Sequence, residues 1–176
     1  VFFVKDYIYT KEVDNMRKII AVAISSAFIA VIWTFGSYLL GLSTVAGFLA
    51  WSSFFVAGGE IKGVKKALIA NLSGIFWGAL SGKLSLILTA YVGERNAFTL
   101  GNGLGTAAIC LQSKIGLVSF IPAGFIGWSA LIASGMNFKI TAISMTCGSF
   151  LGLASEKLTD LILIRINCKN DEVRQN

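Results

Sequence analysis

The stretch "AGFLAWS", Ala46–Ser52, is nearly repeated 77 positions later as "AGFIGWS", Ala123–Ser129. In the same register Gly58 and Lys62 align with Gly135 and Lys139. At a shift of 74 the stretch "GIFWGALSGKL", residues 74–84, aligns with "GSFLGLASEKL", residues 148–158. Because ordered Gly, Trp-Ser and Lys positions rarely coincide by chance, this pattern indicates an internal duplication.

The composition is that of an integral membrane protein. Of 176 residues, 55% are hydrophobic and only 14% are charged, which is more apolar surface than a soluble core of this size can bury. The apolar residues form long runs, as membrane-spanning helices do. We expect six transmembrane helices, at residues 17–40, 42–58, 64–83, 97–113, 116–134 and 140–164.

The cations lie between the apolar runs and predict the orientation of the chain. The net charge is +6, but the Lys and Arg residues form no basic face, so nucleic-acid binding is not expected. Nine cations fall on one side of the predicted spans and Lys83, Arg95 and Lys139 on the other. Positively charged loops are retained in the cytoplasm, so both termini are predicted to be cytoplasmic. The nine are Arg17, Lys18, Lys62, Lys65, Lys66, Lys114, Arg165, Lys169 and Arg174.

The duplication and the span count together predict an all-α fold of two inverted-topology three-helix repeats (3+3). Each copy would hold three spans, residues 17–92 and 95–164, and an odd number of crossings turns the second copy upside down. Residues 16–164 would form one transmembrane domain. Residues 1–15 resemble a poorly ordered extension ahead of a start at Met16, and residues 165–176 read as a polar cytoplasmic tail.

The repeated stretches also carry a family resemblance. "AGFLAWSSFFVAGGEIKGVKKA", "SGIFWGAL", "SFIPAGFIGWSALIASG" and "GSFLGLASEKL" resemble the YcdZ-like bacterial inner-membrane proteins, a family of unknown function. The resemblance covers most of the chain from Met16 to Ile164. It implies a small multi-pass protein of the bacterial inner membrane and no known substrate or catalytic residue.

Catalysis is not expected from these residues. The chain has no His, and its three cysteines are an odd number with two of them in apolar runs. Since neither a nucleophile–base pair nor a metal-ligand cluster can be assembled, we predict no enzyme activity, no cofactor and no metal site.

Several polar residues inside the apolar runs are candidates to line a solute path. Paired indoles and hydroxyls near the bilayer centre suit a narrow path for a small solute, but such Trp residues also serve as packing or interfacial anchors. Buried amides either line a path or bond to a neighbouring helix. The candidates are Trp51, Ser52, Trp128, Ser129, Asn71 and Asn102.

Two lysines and the single proline have two interpretations each. Lys83 and Lys157 occupy equivalent repeat positions; they either carry charge at membrane depth or extend their ammonium groups to the headgroups. Pro122 either breaks a helix beside a binding site or begins the fifth span.

Small residues recur on one face of the third and sixth predicted helices. Such a face lets two backbones approach closely, either between the two halves or between two subunits of a homo-oligomer. The residues are Gly74, Gly78, Gly82, Gly148 and Gly152.

We therefore expect a channel or transporter for a small solute, with the path between the two repeats. The alternative is a non-transporting scaffold or accessory subunit that acts through helix–helix association. A water-accessible cavity at the level of Trp51 and Trp128 would favour transport, and a packed interior would favour the scaffold.

Overall fold

The computed structural model describes the backbone of residues 2–175 and the side chains of residues 15–167. Within that range the regular structure is helical, with six α-helices and two 3₁₀ turns. The α-helices are α1 (Phe2–Leu39), α2 (Thr44–Val56), α3 (Glu60–Val92), α4 (Glu94–Leu111), α5 (Ile121–Ala133) and α6 (Phe138–Gln175), and the 3₁₀ turns are Gln112–Lys114 and Gly116–Val118.

Three of the helices in the described residues are long and apolar enough to cross a membrane. The expected six full-length spans are therefore not observed there. The three segments are Asn15–Leu39, Glu60–Val92 and Phe138–Asn167. The apolar helices α2 and α5 have 13 residues each. At 1.5 Å per residue they are about 20 Å long, which is less than the roughly 30 Å hydrocarbon core.

The long helices extend beyond the boundaries expected from hydropathy. α3 continues past Lys83 to Val92, and α1 begins at Phe2, upstream of Met16. A hydropathy boundary marks where apolar residues stop, whereas a helix ends where its backbone geometry changes. α3 ends at Gly93, whose φ of +78° is a conformation that glycine adopts without strain. The side chains of residues 1–14 and 168–176 lie outside the described residues.

The chain divides into two units. The first comprises Val1–Ile32 and Ala154–Asn176, and the second comprises Trp33–Leu153. In the first unit the Ser25 and Thr159 hydroxyls are hydrogen-bonded at 2.6 Å, which joins α1 to α6. The second unit contains α2, α3, α4 and α5 together with the end of α1 and the start of α6, and it holds the candidate site.

Helices α2 and α5 are equivalent in length, burial and end geometry. Shifting α2 by 77 positions reproduces the bounds of α5, and all six buried positions of α2 fall on the six buried positions of α5. After α2, the Gly59 N–H donates to the Phe54 carbonyl; after α5, the Met136 N–H donates to the Leu131 carbonyl. Both turns therefore use the same backbone hydrogen bond, although Met136 stands where the first copy has glycine.

Close helix contacts in the second unit are reciprocal between the two copies. A Cβ added to Gly74 of α3 would overlap the backbone of Gly124 on α5, and a Cβ added to Gly148 of α6 would overlap the backbone of Gly47 on α2. Gly74 aligns with Gly148 and Gly47 with Gly124, so each copy uses the same residue pair with the partners exchanged. One turn further on, Gly78 faces Trp128 and Gly152 faces Phe54.

Candidate functional site

A buried amide joins α2 to α3 near the centre of the second unit. Asn71 is fully buried, and its Oδ1 accepts a hydrogen bond from the buried Ser53 hydroxyl at 3.0 Å. The backbone of Asn71 also lies against α5, because a Cβ added to Gly127 would overlap its carbonyl group. Asn71 therefore stands where three helices meet.

A second buried amide lies just after α4. Gln112 is buried, and its Oε1 accepts hydrogen bonds from Trp77 Nε1 at 2.8 Å and from the Ser73 hydroxyl at 3.1 Å. An indole nitrogen can only donate, so this contact fixes which end of the Gln112 amide is oxygen. The Gln112 amino group then points away from Trp77, toward α5, where a Cβ added to Gly124 would lie 3.3 Å from Nε2.

The amino groups of both amides are buried without a hydrogen-bond acceptor. Asn71 Nδ2 and Gln112 Nε2 are each inaccessible and unpaired among the described residues. A buried donor without an acceptor costs about 1–3 kcal/mol. Because buried polar groups are nearly always satisfied, these two donors point to a partner, either water or a polar solute.

Trp77 also borders a small cavity, and neither buried amide is among the residues that line it. A cavity of about 130 Å³ lies between α3 and α4 and is lined by Trp77 and Ser81 on α3 and by Gly105 and Ala108 on α4. Leu80, Leu84 and Leu104 also line this cavity, so its wall is largely apolar. Trp77 thus contacts both this space and the Gln112 amide.

The repeated Trp-Ser pairs are separated by the structure. Trp51 and Trp128 are buried, whereas Ser52 and Ser129 lie on the exposed faces of α2 and α5. Trp128 is packed between α3 and α4, because Cβ atoms added to Gly78 and Gly105 would overlap its ring atoms. The indoles and hydroxyls therefore do not face a common space.

The other predicted residues are dispersed. Asn102 is half-buried on α4, and Lys83 and Lys157 are exposed. The Lys157 ammonium forms an ion pair with Asp160 at 3.7 Å. Pro122 is the second residue of α5, in its first turn, where its missing N–H costs nothing. This placement matches the interpretation in which Pro122 begins a helix and does not match a break within one.

The glycine faces are occupied within the chain. Gly74, Gly78 and Gly82 meet Gly124, Trp128 and Met136, and Gly148 and Gly152 meet α2. These glycines therefore have neighbours within the chain, from α2, α5 and the turn at Met136.

The Asn71–Ser53 pair and the Gln112–Ser73–Trp77 group are together called the amide cluster. Four of these residues, Ser53, Ser73, Trp77 and Gln112, were not among the residues predicted from sequence. One available signal was the difference between the copies. At the positions of Ser53 and Asn71 the second copy has Ala130 and Met145, so the polar pair occurs in one repeat only.

Comparison with known proteins identifies the family. Residues 23–160 match the family described as "Protein of unknown function (DUF1097)". The chain belongs to this family. The resemblance to YcdZ-like proteins is thereby confirmed.

Three relatives cover most of the chain. It is 32% identical to the "Uncharacterized protein YahC" of Escherichia coli over 150 residues, which are 80% of this chain and 90% of the relative. It is 29% identical to the "Inner membrane protein YcdZ" of Salmonella typhimurium, over 79% of this chain and 86% of the relative. The identity is also 29% with the Escherichia coli protein of that name, over 79% and 84%. No solved structure matches the chain.

The relatives' names and the three long apolar helices agree on the class of protein. Two relatives are named inner membrane proteins, and the chain carries apolar helices of spanning length. The chain is a helical membrane protein of a family described as being of unknown function.

Proposed function

We propose that this chain is a channel or transporter for a small uncharged solute in the bacterial inner membrane. It is built from two inverted three-element repeats and both of its termini are cytoplasmic. The observation that carries the transport function is the pair of buried, unpaired amino groups on Asn71 and Gln112. Polar groups at membrane depth are costly and are typical of substrate pathways.

The reciprocal glycine contacts support the inverted arrangement. When residue i of one copy meets residue j of the other and the reverse contact also forms, the copies are related by a two-fold operation. Gly74 with Gly124 and Gly148 with Gly47 form such a pair of contacts. Copies with an odd number of crossings place that axis in the membrane plane, and helices α2 and α5 would then be short crossings.

The chemistry of the cluster indicates the class of solute. Each amide oxygen already accepts a hydrogen bond, whereas both amino groups are unpaired among the described residues, so the site chiefly offers hydrogen-bond donors. The cluster consists of amides, hydroxyls and one indole, with no ionised group. A neutral molecule with acceptor oxygens, such as a small amide or a polyol, complements these groups.

The test is solute flux in proteoliposomes. Osmotic swelling would be measured with urea, acetamide, glycerol, sodium acetate and methylammonium chloride for the wild-type chain, for Asn71→Leu and for Met145→Leu. The last variant changes the repeat counterpart of Asn71 and serves as the matched control. We expect flux for at least one neutral probe, a loss of about tenfold or more in Asn71→Leu, and no loss in Met145→Leu. Absence of flux for every probe, or equal loss in both variants, would contradict the proposal.

A second candidate function is a scaffold, and one observation favours it. Trp128 is packed on α3 and α4, and the 130 Å³ cavity between these helices has no lining residue from α2. A packed interior around Trp128 is typical of a protein that binds its partners with its outer surface. Flux in any arm of the swelling experiment decides against this alternative.

A further inference from the structure

A larger cavity lies at the opposite end of the α3–α4 pair from Gln112. It has a volume of about 770 Å³ and is bounded by the second half of α3, the first turns of α4 and the junction between α5 and α6. Pockets for small ligands measure roughly 300–1,000 Å³. The cavity is therefore large enough for a ligand with an apolar body.

The cavity combines two cations with an apolar wall. Lys83 and Arg95 both line it, and Glu94 is the one carboxylate in its lining, which leaves a single net positive charge. Much of the remaining wall is apolar, with Leu86, Phe98, Phe138 and Met136. Among the residues whose side chains are described, neither cation takes part in an ion pair.

The second repeat provides an internal comparison for Lys83. Its counterpart Lys157 is paired with Asp160, three residues further along α6. The residue three positions after Lys83 is Leu86, where the first copy has no acid. The charge of Lys157 is thus paired with an acid in its own helix, whereas the charge of Lys83 is available to a ligand.

We propose that this cavity binds an amphipathic monoanion, with the anionic group on Lys83 and Arg95 and the apolar body against Leu86, Phe98 and Phe138. The guanidinium of Arg95 offers a planar pair of donors to a phosphate or carboxylate, and the Lys83 ammonium adds a point charge. Such an anion has two sources, an anionic phospholipid of the bilayer or a long-chain fatty acid. The site is separate from the amide cluster, so its occupancy does not depend on solute transport.

The test is ligand binding to the detergent-purified full chain by native mass spectrometry. The probes are phosphatidylglycerol, phosphatidylcholine and oleate, titrated against wild type, the double variant Lys83→Gln/Arg95→Gln and the control Lys157→Gln. We expect one equivalent of an anionic probe to bind wild type in preference to phosphatidylcholine. Affinity should fall about tenfold or more in the double variant and stay unchanged in Lys157→Gln. Preference for phosphatidylglycerol assigns the bilayer source and preference for oleate the fatty-acid source, and both support the proposal.

A second variant tests the same site by adding a charge. Leu86→Asp gives Lys83 the acid that Lys157 already has, and we expect it to weaken anion binding while both cations stay in place. If neither anion binds better than phosphatidylcholine, or if Lys157→Gln weakens binding as much as the double variant, the proposal is overturned. Unchanged anion binding in Leu86→Asp also counts against it.

Discussion

At the scale of single residues, the helix crossings require glycine because they leave no space for a side chain. Gly74 and Gly148 lie directly against the backbone of another helix, so neither position has room for a methyl group. Gly36 lies in α1 with no atom within 4 Å of an added Cβ. The same substitution therefore has opposite consequences at these sites, although all three glycines are helical.

We predict that Gly74→Ala and Gly148→Ala each destabilise the protein by about 1–3 kcal/mol or more, because overpacking forces the helices apart. Gly36→Ala should be neutral or stabilising by up to about 1 kcal/mol, since alanine is the better helix former. Thermal unfolding in detergent measures all three. Equal melting temperatures for Gly74→Ala and Gly36→Ala would show that the crossing is not close-packed.

The two indoles and the neighbouring serines also differ at this scale. Trp128 is 7% exposed and fills the space over Gly78 and Gly105, whereas Ser129 faces outward. We predict that Trp128→Ala lowers stability by about 3–5 kcal/mol, the usual cost of removing a buried aromatic side chain, and that Ser129→Ala has almost no effect. The same unfolding assay compares them. A small loss of stability in Trp128→Ala would mean that the indole faces open space and not a packed interface.

At the scale of helices and turns, the two short helices end in the same hydrogen-bonded turn with different residues. Gly59 has φ +73° and ψ −165°, a conformation open to glycine almost alone, and Met136 has φ +60°. The second copy thus holds a side chain in the left-handed region at the position where the first copy uses glycine. Met136 lines the larger cavity, so its side chain contributes to that wall.

We predict that Gly59→Ala destabilises the protein by about 1–3 kcal/mol through backbone strain. Gly103→Ala is the control, because Gly103 lies in α4 with open space around it and no positive φ. The comparison uses melting temperature in detergent, with helical content followed by circular dichroism. A Gly59→Ala variant as stable as Gly103→Ala would refute the turn geometry.

Much of the element structure could be predicted from the sequence. The shift of 77 aligned "AGFLAWS" with "AGFIGWS", and the structure gives these stretches helices with matching bounds and burial. Helix lengths were less predictable. Lys83 interrupts an apolar run without interrupting a helix, because a lysine side chain does not disturb backbone hydrogen bonding.

The amide cluster was harder to predict because it depends on tertiary packing. Trp77 and Gln112 are 35 positions apart and meet only because α4 returns along α3. Asn71 is predictable as a polar residue in an apolar run, but its partner Ser53 stands next to the repeated Trp51-Ser52 pair. Adjacent helical residues point about 100° apart, so Ser52 lies on the exposed face of α2 while Ser53 is buried against Asn71.

At the scale of the whole molecule, the proposed solute path requires the two copies to face opposite sides of the bilayer. Lys62 and Lys139 are equivalent in the repeat and both are exposed near the start of a long helix. An inverted arrangement places them on opposite membrane surfaces, whereas a parallel arrangement places them on the same surface.

The most direct measurement is the sidedness of these two positions. Lys62→Cys and Lys139→Cys would each be made in a chain whose native cysteines are replaced by serine, and labelled in spheroplasts with a membrane-impermeant maleimide. We predict that the cysteine at position 139 reacts in intact spheroplasts and that the one at position 62 reacts only after the membrane is permeabilised. Labelling of both positions from the same side would contradict the inverted repeat and remove the basis for a path between its halves.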